Sequence, residues 1–376
     1  MDQHINLVQR AIRLGAVSLA CLSLLACASA PATQSDAAAS SAVAAPSAVV
    51  AQAELRGIYE LVYSSANNAI YVAGMGERFG DGKGGFIYQL NADTLALQRT
   101  IELPLKPFAL ASDNQAGILY AGHSLESTIT AIDVASGRVR GTVKLEQFND
   151  EGKPIRTRQL LADESSGTLY VGGVGKGGIV WVLDGRTLAE KQVLRSPDGK
   201  SIGMALDASQ GLLYTGATGA YEVIDTRGMR RVGLHAVPKP AGKEDSYGRY
   251  FINLALDQGA RRLFATESTY AGELFVFDAQ NGQVLHTVET GKSPVGIRFN
   301  PVRDEVYVAN REGGTVTVVD AATYAVKRQI ELPTHPNSLA LSADGQVLFV
   351  TVKRAFPAGG QLAPMERVVR IDLQRL

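Results

Sequence analysis

Seven basic side chains of this sequence fall at the top of the first segment or just after the second segment of an internal repeat: Lys106, Arg158, Lys176, Lys200, Arg311, His335 and Lys353. Phe108, Tyr250 and Phe251 occupy the same ring of positions, with Gln159, Asn253 and Ser338 as hydrogen-bonding neighbours. Cations converging from different repeats focus a positive potential and attract a phosphate backbone. Aromatic faces beside them supply the stacking that single-strand binding uses without reading sequence. For the aromatics, packing between neighbouring repeats is the favoured reading over stacking. The candidate ligand-binding set is therefore Lys106, Phe108, Arg158, Lys176, Lys200, Tyr250, Asn253, Arg311, His335 and Lys353.

Other chemistry finds little footing. His123, His235, His286 and His335 show no metal-ligand spacing and have no flanking cysteine. The run Gly172-Gly-Val-Gly-Lys-Gly-Gly178 suggests a phosphate loop, but a strand rather than a helix follows it, so it reads as a glycine-rich hairpin. No catalytic residue, metal or cofactor is expected. Arg298 stands where the other repeats carry Val, Leu or Ala. It either pairs with a buried acid or points into a channel.

The elements that position these residues follow from the repeat. One six-residue register recurs as Tyr59–Ser64, Pro107–Ser112, Arg158–Asp163, Ile202–Asp207, Ile252–Asp257, Val295–Asn300 and Asn337–Ser342. A second apolar segment follows each, carrying Tyr71, Tyr120, Tyr170, Tyr214, Phe264, Tyr307 or Phe349, at spacings of 49, 50, 44, 50, 43 and 42 residues. A third segment ends at an Asn or Asp, and a fourth closes the unit. Four β-branched-rich segments broken by Gly, Asn and Asp are four strands. Their continuous apolar character suits sheets packed on both faces. The chain is thus read as an all-β, seven-bladed β-propeller with four antiparallel strands per blade. The last unit lacks its fourth strand, which Ala48–Leu55 can supply, closing the ring through the termini and removing an open edge.

With 37 Lys+Arg against 37 Asp+Glu, the chain has no polybasic tail. Propeller topology nonetheless separates charge. Tight turns rich in aspartate make one face. The long insertions 74–85, 146–157, 236–249 and 354–366 gather on the other, with the candidate cations around its channel mouth.

Residues 1–26 read as an export signal, with Arg10 and Arg13 ahead of a short apolar stretch. The run Leu24-Leu25-Ala26-Cys27 resembles the lipobox of bacterial lipoproteins, which implies lipidation of Cys27. The alternative is an ordinary secretory signal cut after Ala28 or Ala30. Ala28 in place of aspartate implies the outer membrane, on the periplasmic side of the envelope. Residues 27–50, rich in Ala, Ser and Pro, read as a flexible tether, and 51–376 as the propeller.

Ile70-Tyr-Val-Ala73, Leu169-Tyr-Val-Gly172 and Val306-Tyr-Val-Ala-Asn310 resemble the YVTN-type propeller repeat. Leu105-Lys-Pro-Phe108, Gly175–Gly185 and Thr334–Gly345 are similar to the YncE-like family of bacterial periplasmic proteins. That resemblance covers roughly 50–376 and implies the propeller fold. Members of the family have been associated with single-stranded DNA binding and with iron-regulated expression. The expected function is a non-catalytic, envelope-anchored binding propeller, monomeric, taking an anionic extended ligand such as single-stranded DNA at the channel mouth. The alternatives are a protein-interaction scaffold with an envelope partner, and a lactonase-like enzyme or dehydrogenase-associated subunit.

Overall fold

A computed structural model describes residues 47–78, 82–174, 178–195, 202–237, 250–267, 272–355 and 361–376. They form seven four-stranded antiparallel sheets. Six blades use consecutive strands. The seventh combines His335–Leu341, Val347–Lys353 and Met365–Asp372 with the N-terminal strand Val49–Arg56. That closing strand runs antiparallel to the last one, from Val49 opposite Ile371 to Arg56 opposite Met365. The expected closure is present, displaced by one residue from the Ala48–Leu55 read in the sequence. Hydrogen bonds between the two ends of the chain thus replace an exposed sheet edge.

The first strand of each blade touches the first strands of its neighbours in an unbroken ring. These inner strands are Ile58–Ser64, Ala109–Asp113, Arg156–Asp163, Met204–Asp207, Phe251–Asp257, Pro294–Asn300 and His335–Leu341. Burial grades outward from there. Second strands such as Ile118–His123 and Glu305–Asn310 are buried at every position, because a neighbouring blade covers each face. Outer strands such as Val139–Lys144 and Val326–Glu331 are mostly exposed.

The recurrent aromatic of the second strand fastens blade to blade. All seven are 3% exposed or less. The Tyr71, Tyr120 and Tyr214 hydroxyls each donate to a carbonyl of the next blade, at Val134 (3.4 Å), Gly185 (2.9 Å) and Ala279 (3.4 Å). A buried phenol needs such an acceptor. A Cβ at Gly185 would lie 2.6 Å from the Tyr120 hydroxyl, so glycine makes room for that bond.

The aspartates ending the third strands cap turns. Asp184 Oδ1 accepts the Arg186 and Thr187 amides at 3.1 and 3.0 Å, and Asp320 Oδ1 accepts those of Ala322 and Thr323 at 3.1 and 2.8 Å. Leu188 and Tyr324 then take positive φ values of 60° and 61° to return the chain to its sheet. These amides, above all that of Thr187, hold the Asp184 carboxyl down to about 2.

Candidate functional site

The inner strands surround a central channel with a cavity of about 130 Å³. The starts of the inner strands of six blades make its wall, together with Arg311 just beyond a second strand. Arg158 begins the register of blade three. Its Nη1 donates to Glu60 Oε1 of blade one at 2.7 Å, and its guanidinium lies 5.7 Å from the centre of the Tyr59 ring. Glu60 Oε2 also accepts the Leu110 amide of blade two at 3.2 Å, so one carboxylate ties three blades. Burial opposes the charge on Arg158, but Tyr59 and Glu60 outweigh it and raise its affinity for the proton.

Arg311 Nη1 donates to Asn337 Oδ1 at 2.9 Å, across the seam between blades six and seven. His335 Nδ1–H donates to the Arg311 carbonyl at 3.0 Å and steadies that corner. Asn253 Nδ2 donates to the Val295 carbonyl at 2.6 Å, and Gln159 Oε1 accepts the Met204 amide. Each of these bonds joins one blade to the next.

Arg298 differs from all of them. It lines the cavity, and its Nη1 donates to the neighbouring Ile297 carbonyl at 2.8 Å. Among the described residues it has no ion-pair partner. Protein walls it in, yet the channel keeps it in touch with water. Burial pushes its guanidinium below the ordinary value, and Glu60 offsets only part of that. Of the two readings left open by the sequence, the channel one holds. Among the described residues the wall therefore carries three guanidinium groups, Arg158, Arg298 and Arg311, and one carboxylate, Glu60.

Arg158, Asn253 and Arg311 of the candidate set thus meet at one cavity, and Gln159 and Ser338 join them. Phe108 packs edge-on against Tyr59, with ring centres 5.2 Å apart, and Tyr250 pairs with Thr218 in an isolated bridge. Phe251 lies in the core against Phe275 and Phe277. Lys106, Lys353 and the open mouth do not go together. Lys106 turns sideways and donates to the Met75 and Arg78 carbonyls of blade one at 2.8 and 3.1 Å. Lys353, 1% exposed, donates to the Ile58 carbonyl and to Glu366 at 3.2 Å, and stands 5.0 Å from the Tyr59 ring centre. Both ammonium groups find carbonyls where blade one leaves regular pairing, Ile58 lying beside a register shift. Lys176, Lys200 and Cys27 lie outside the described residues. The same is true of parts of the insertions at 79–81, 238–249 and 356–360.

Comparison with protein-family models gives no match. The YncE protein of Salmonella typhimurium (strain LT2) is 37% identical over 321 residues, spanning 85% of this chain and 89% of that one. Those of Salmonella typhi and Escherichia coli K12 are each 36% identical over 321 residues. The chain belongs to the YncE family. The YncE relatives are described as uncharacterized, so membership fixes ancestry and leaves activity to the site. Two charged channel residues of this YncE-family propeller lie outside the candidate set, Glu60 and Arg298. The register carries a signal for both. Glu60 is charged where the other blades have Phe108, Gln159, Gly203, Asn253, Gly296 and Ser338, and Arg298 is charged where they are apolar. The sideways turn of Lys106 also had a trace, in the glycines around it. Gly76 takes φ 87°, and a Cβ there would approach Lys106 Nζ to 3.1 Å.

Proposed function

We propose that this protein is a non-catalytic binding propeller that takes an anionic ligand at the axial channel. The carrying observation is the positive charge of Arg298 on the channel wall, which has no ion-pair partner among the described residues. Low-dielectric walls focus such a field and raise the local concentration of anions. The ionisable groups there also suit binding better than proton transfer. Arginine stays protonated, and the Glu60 carboxylate is engaged by Arg158. The finer reading is an extended polyanion such as single-stranded DNA, lying across the mouth with phosphates near Arg158 and Arg311. This reading takes the propeller to be a monomer, and the lipobox-like run at Cys27 supports placing it on the periplasmic side of the outer membrane.

Fluorescence anisotropy with a labelled oligonucleotide tests the reading. Binding is expected at low salt and to weaken steeply as salt rises, with R311Q lowering the salt slope by about one. No binding at low salt sinks the polyanion reading. A second reading, an envelope scaffold, draws on an apolar groove beside Leu125 and Phe148, which are 53% and 54% exposed. It requires an envelope partner whose co-purification is lost in F148S.

A further inference from the structure

Arg298 occupies the position filled by Val62, Leu110, Leu161, Ala205, Ala255 and Ala340 in the six sister blades. Those blades show that an apolar residue packs there without difficulty. A buried cation lacking a carboxylate carries a desolvation penalty that an apolar residue avoids. One guanidinium N–H is used by the Ile297 carbonyl. The others remain for a ligand, since a guanidinium has five.

Several groups lining the same cavity are donors too. Gln159 accepts a backbone amide with Oε1, and Asn337 accepts Arg311 Nη1 with Oδ1. In both, the oxygen is taken and the amide NH₂ is left to donate. Arg158 and Arg311 bring guanidinium groups to the same wall, and among the described residues Glu60 is its one carboxylate. Such a lining rejects cations and accepts oxyanions. Planar guanidinium forks match the spacing of phosphate oxygens. Size narrows the ligand further. The cavity of about 130 Å³ is well below the ~300 Å³ at which pockets for drug-sized molecules begin.

From this geometry we infer that the channel is a phosphate site, in which Arg298, Arg158 and Arg311 hold one tetrahedral oxyanion, either free inorganic phosphate or the terminal phosphate monoester of a strand. The inference rests on the anion-binding reading above and names the ligand of that same channel. The lowered proton affinity of Arg298 agrees, because a bound dianion would relieve the cost of its burial.

The test uses the full chain and the variant R298L, which restores the apolar residue of the sister blades and so is expected to fold. Thermal melts are run in phosphate and in acetate of equal ionic strength. Phosphate at a hundredfold excess over its Kd is expected to raise the wild-type Tm by about 2 °C or more relative to acetate. R298L should lose that increment. Comparing the two proteins removes the general stabilisation that phosphate gives any fold. Oligonucleotides with a 5′-phosphate or a 5′-hydroxyl then separate the sources. A roughly tenfold preference for the phosphorylated end, lost in R298L, assigns the site to strand ends. A melt response without end preference assigns it to free phosphate. If wild type and R298L respond identically to phosphate, the inference is overturned, even where oligonucleotides still bind and the mouth reading survives. A phosphate response without oligonucleotide binding leaves the inference standing and removes the polymer reading.

Discussion

Lys353 and Arg298 are both cations enclosed by protein near the propeller axis, and they meet opposite fates. Lys353 lies in the seam between blades seven and one, with Glu366 at 3.2 Å and the Ile58 carbonyl as partners. Arg298 lies on the channel wall with one backbone carbonyl. Burial lowers the proton affinity of each, but Glu366 restores part of it for Lys353 while Arg298 has only the more distant Glu60. The difference teaches that position on the ring does not make a binding site. A cation whose partner is built in is a fastener, and one whose partner is missing is a receptor.

The largest way to break this comparison is to make Lys353 resemble Arg298. E366A strands an ammonium that is 1% exposed and removes the acceptor of the Arg354 amide at 2.7 Å. A loss of about 3–5 kcal/mol is expected in urea unfolding, and K353M/E366L should recover most of it. A loss under about 1 kcal/mol would mean that water reaches Lys353 and that the seam is not closed.

His123 shows a third solution, in which the buried base stays neutral. It is fully buried, with Nε2 3.0 Å from Thr130 Oγ1, and burial depresses its pKa from 6.5 to about 4. The folded value lies below the unfolded one, so the unfolded chain binds the extra proton first as pH falls. This contribution is complete above pH 6.5 and drains away toward pH 4, by roughly 3 kcal/mol. Urea midpoints across that window should fall in the wild type and change much less in H123Q. His235 is lowered by burial as well, but it is partly exposed and adds less.

How much of this was legible in the sequence depends on the distance over which a contact acts. The period placed each inner strand, and the register identified which residues begin it. Arg158, Asn253 and Arg311 were found that way because the backbone alone brings them to the wall. Partnership was not legible, because it joins residues far apart in the chain. Arg158 and Glu60 are 98 positions apart, Lys106 and Met75 are 31 apart, and Lys353 and Ile58 are 295 apart. A long side chain starting on the ring can turn inward to the channel or sideways to a seam. That choice is made by carbonyls and carboxylates of another blade. Charge at a register position that is neutral elsewhere would have been the better guide, since it selects Glu60 and Arg298 together.

Arg298 itself gives the next smaller effect, and one of opposite sign to Glu366. Without phosphate, R298L should unfold later than wild type by about 1–2 kcal/mol, because it removes an uncompensated buried charge from a site that six blades fill with apolar groups. A mutation that stabilises the empty protein and weakens ligand binding is the signature of a receptor. A fastener would lose stability. Chemical denaturation in acetate decides between them.

The smallest expected effect separates burial from ion pairing as the cause. Lys153 and Glu151 are 3.0 Å apart, close to the separation of Lys353 and Glu366, but their side chains are 73% and 46% exposed. Water screens the pair and solvates either partner left alone. K153A should therefore shift stability by no more than about 0.5 kcal/mol. A loss near that of E366A would show that pairing distance governs these cations, and the contrast between Lys353 and Arg298 would then need another cause. A negligible loss leaves withdrawal from water as the property that turns a partner, present or missing, into a structural or functional fact.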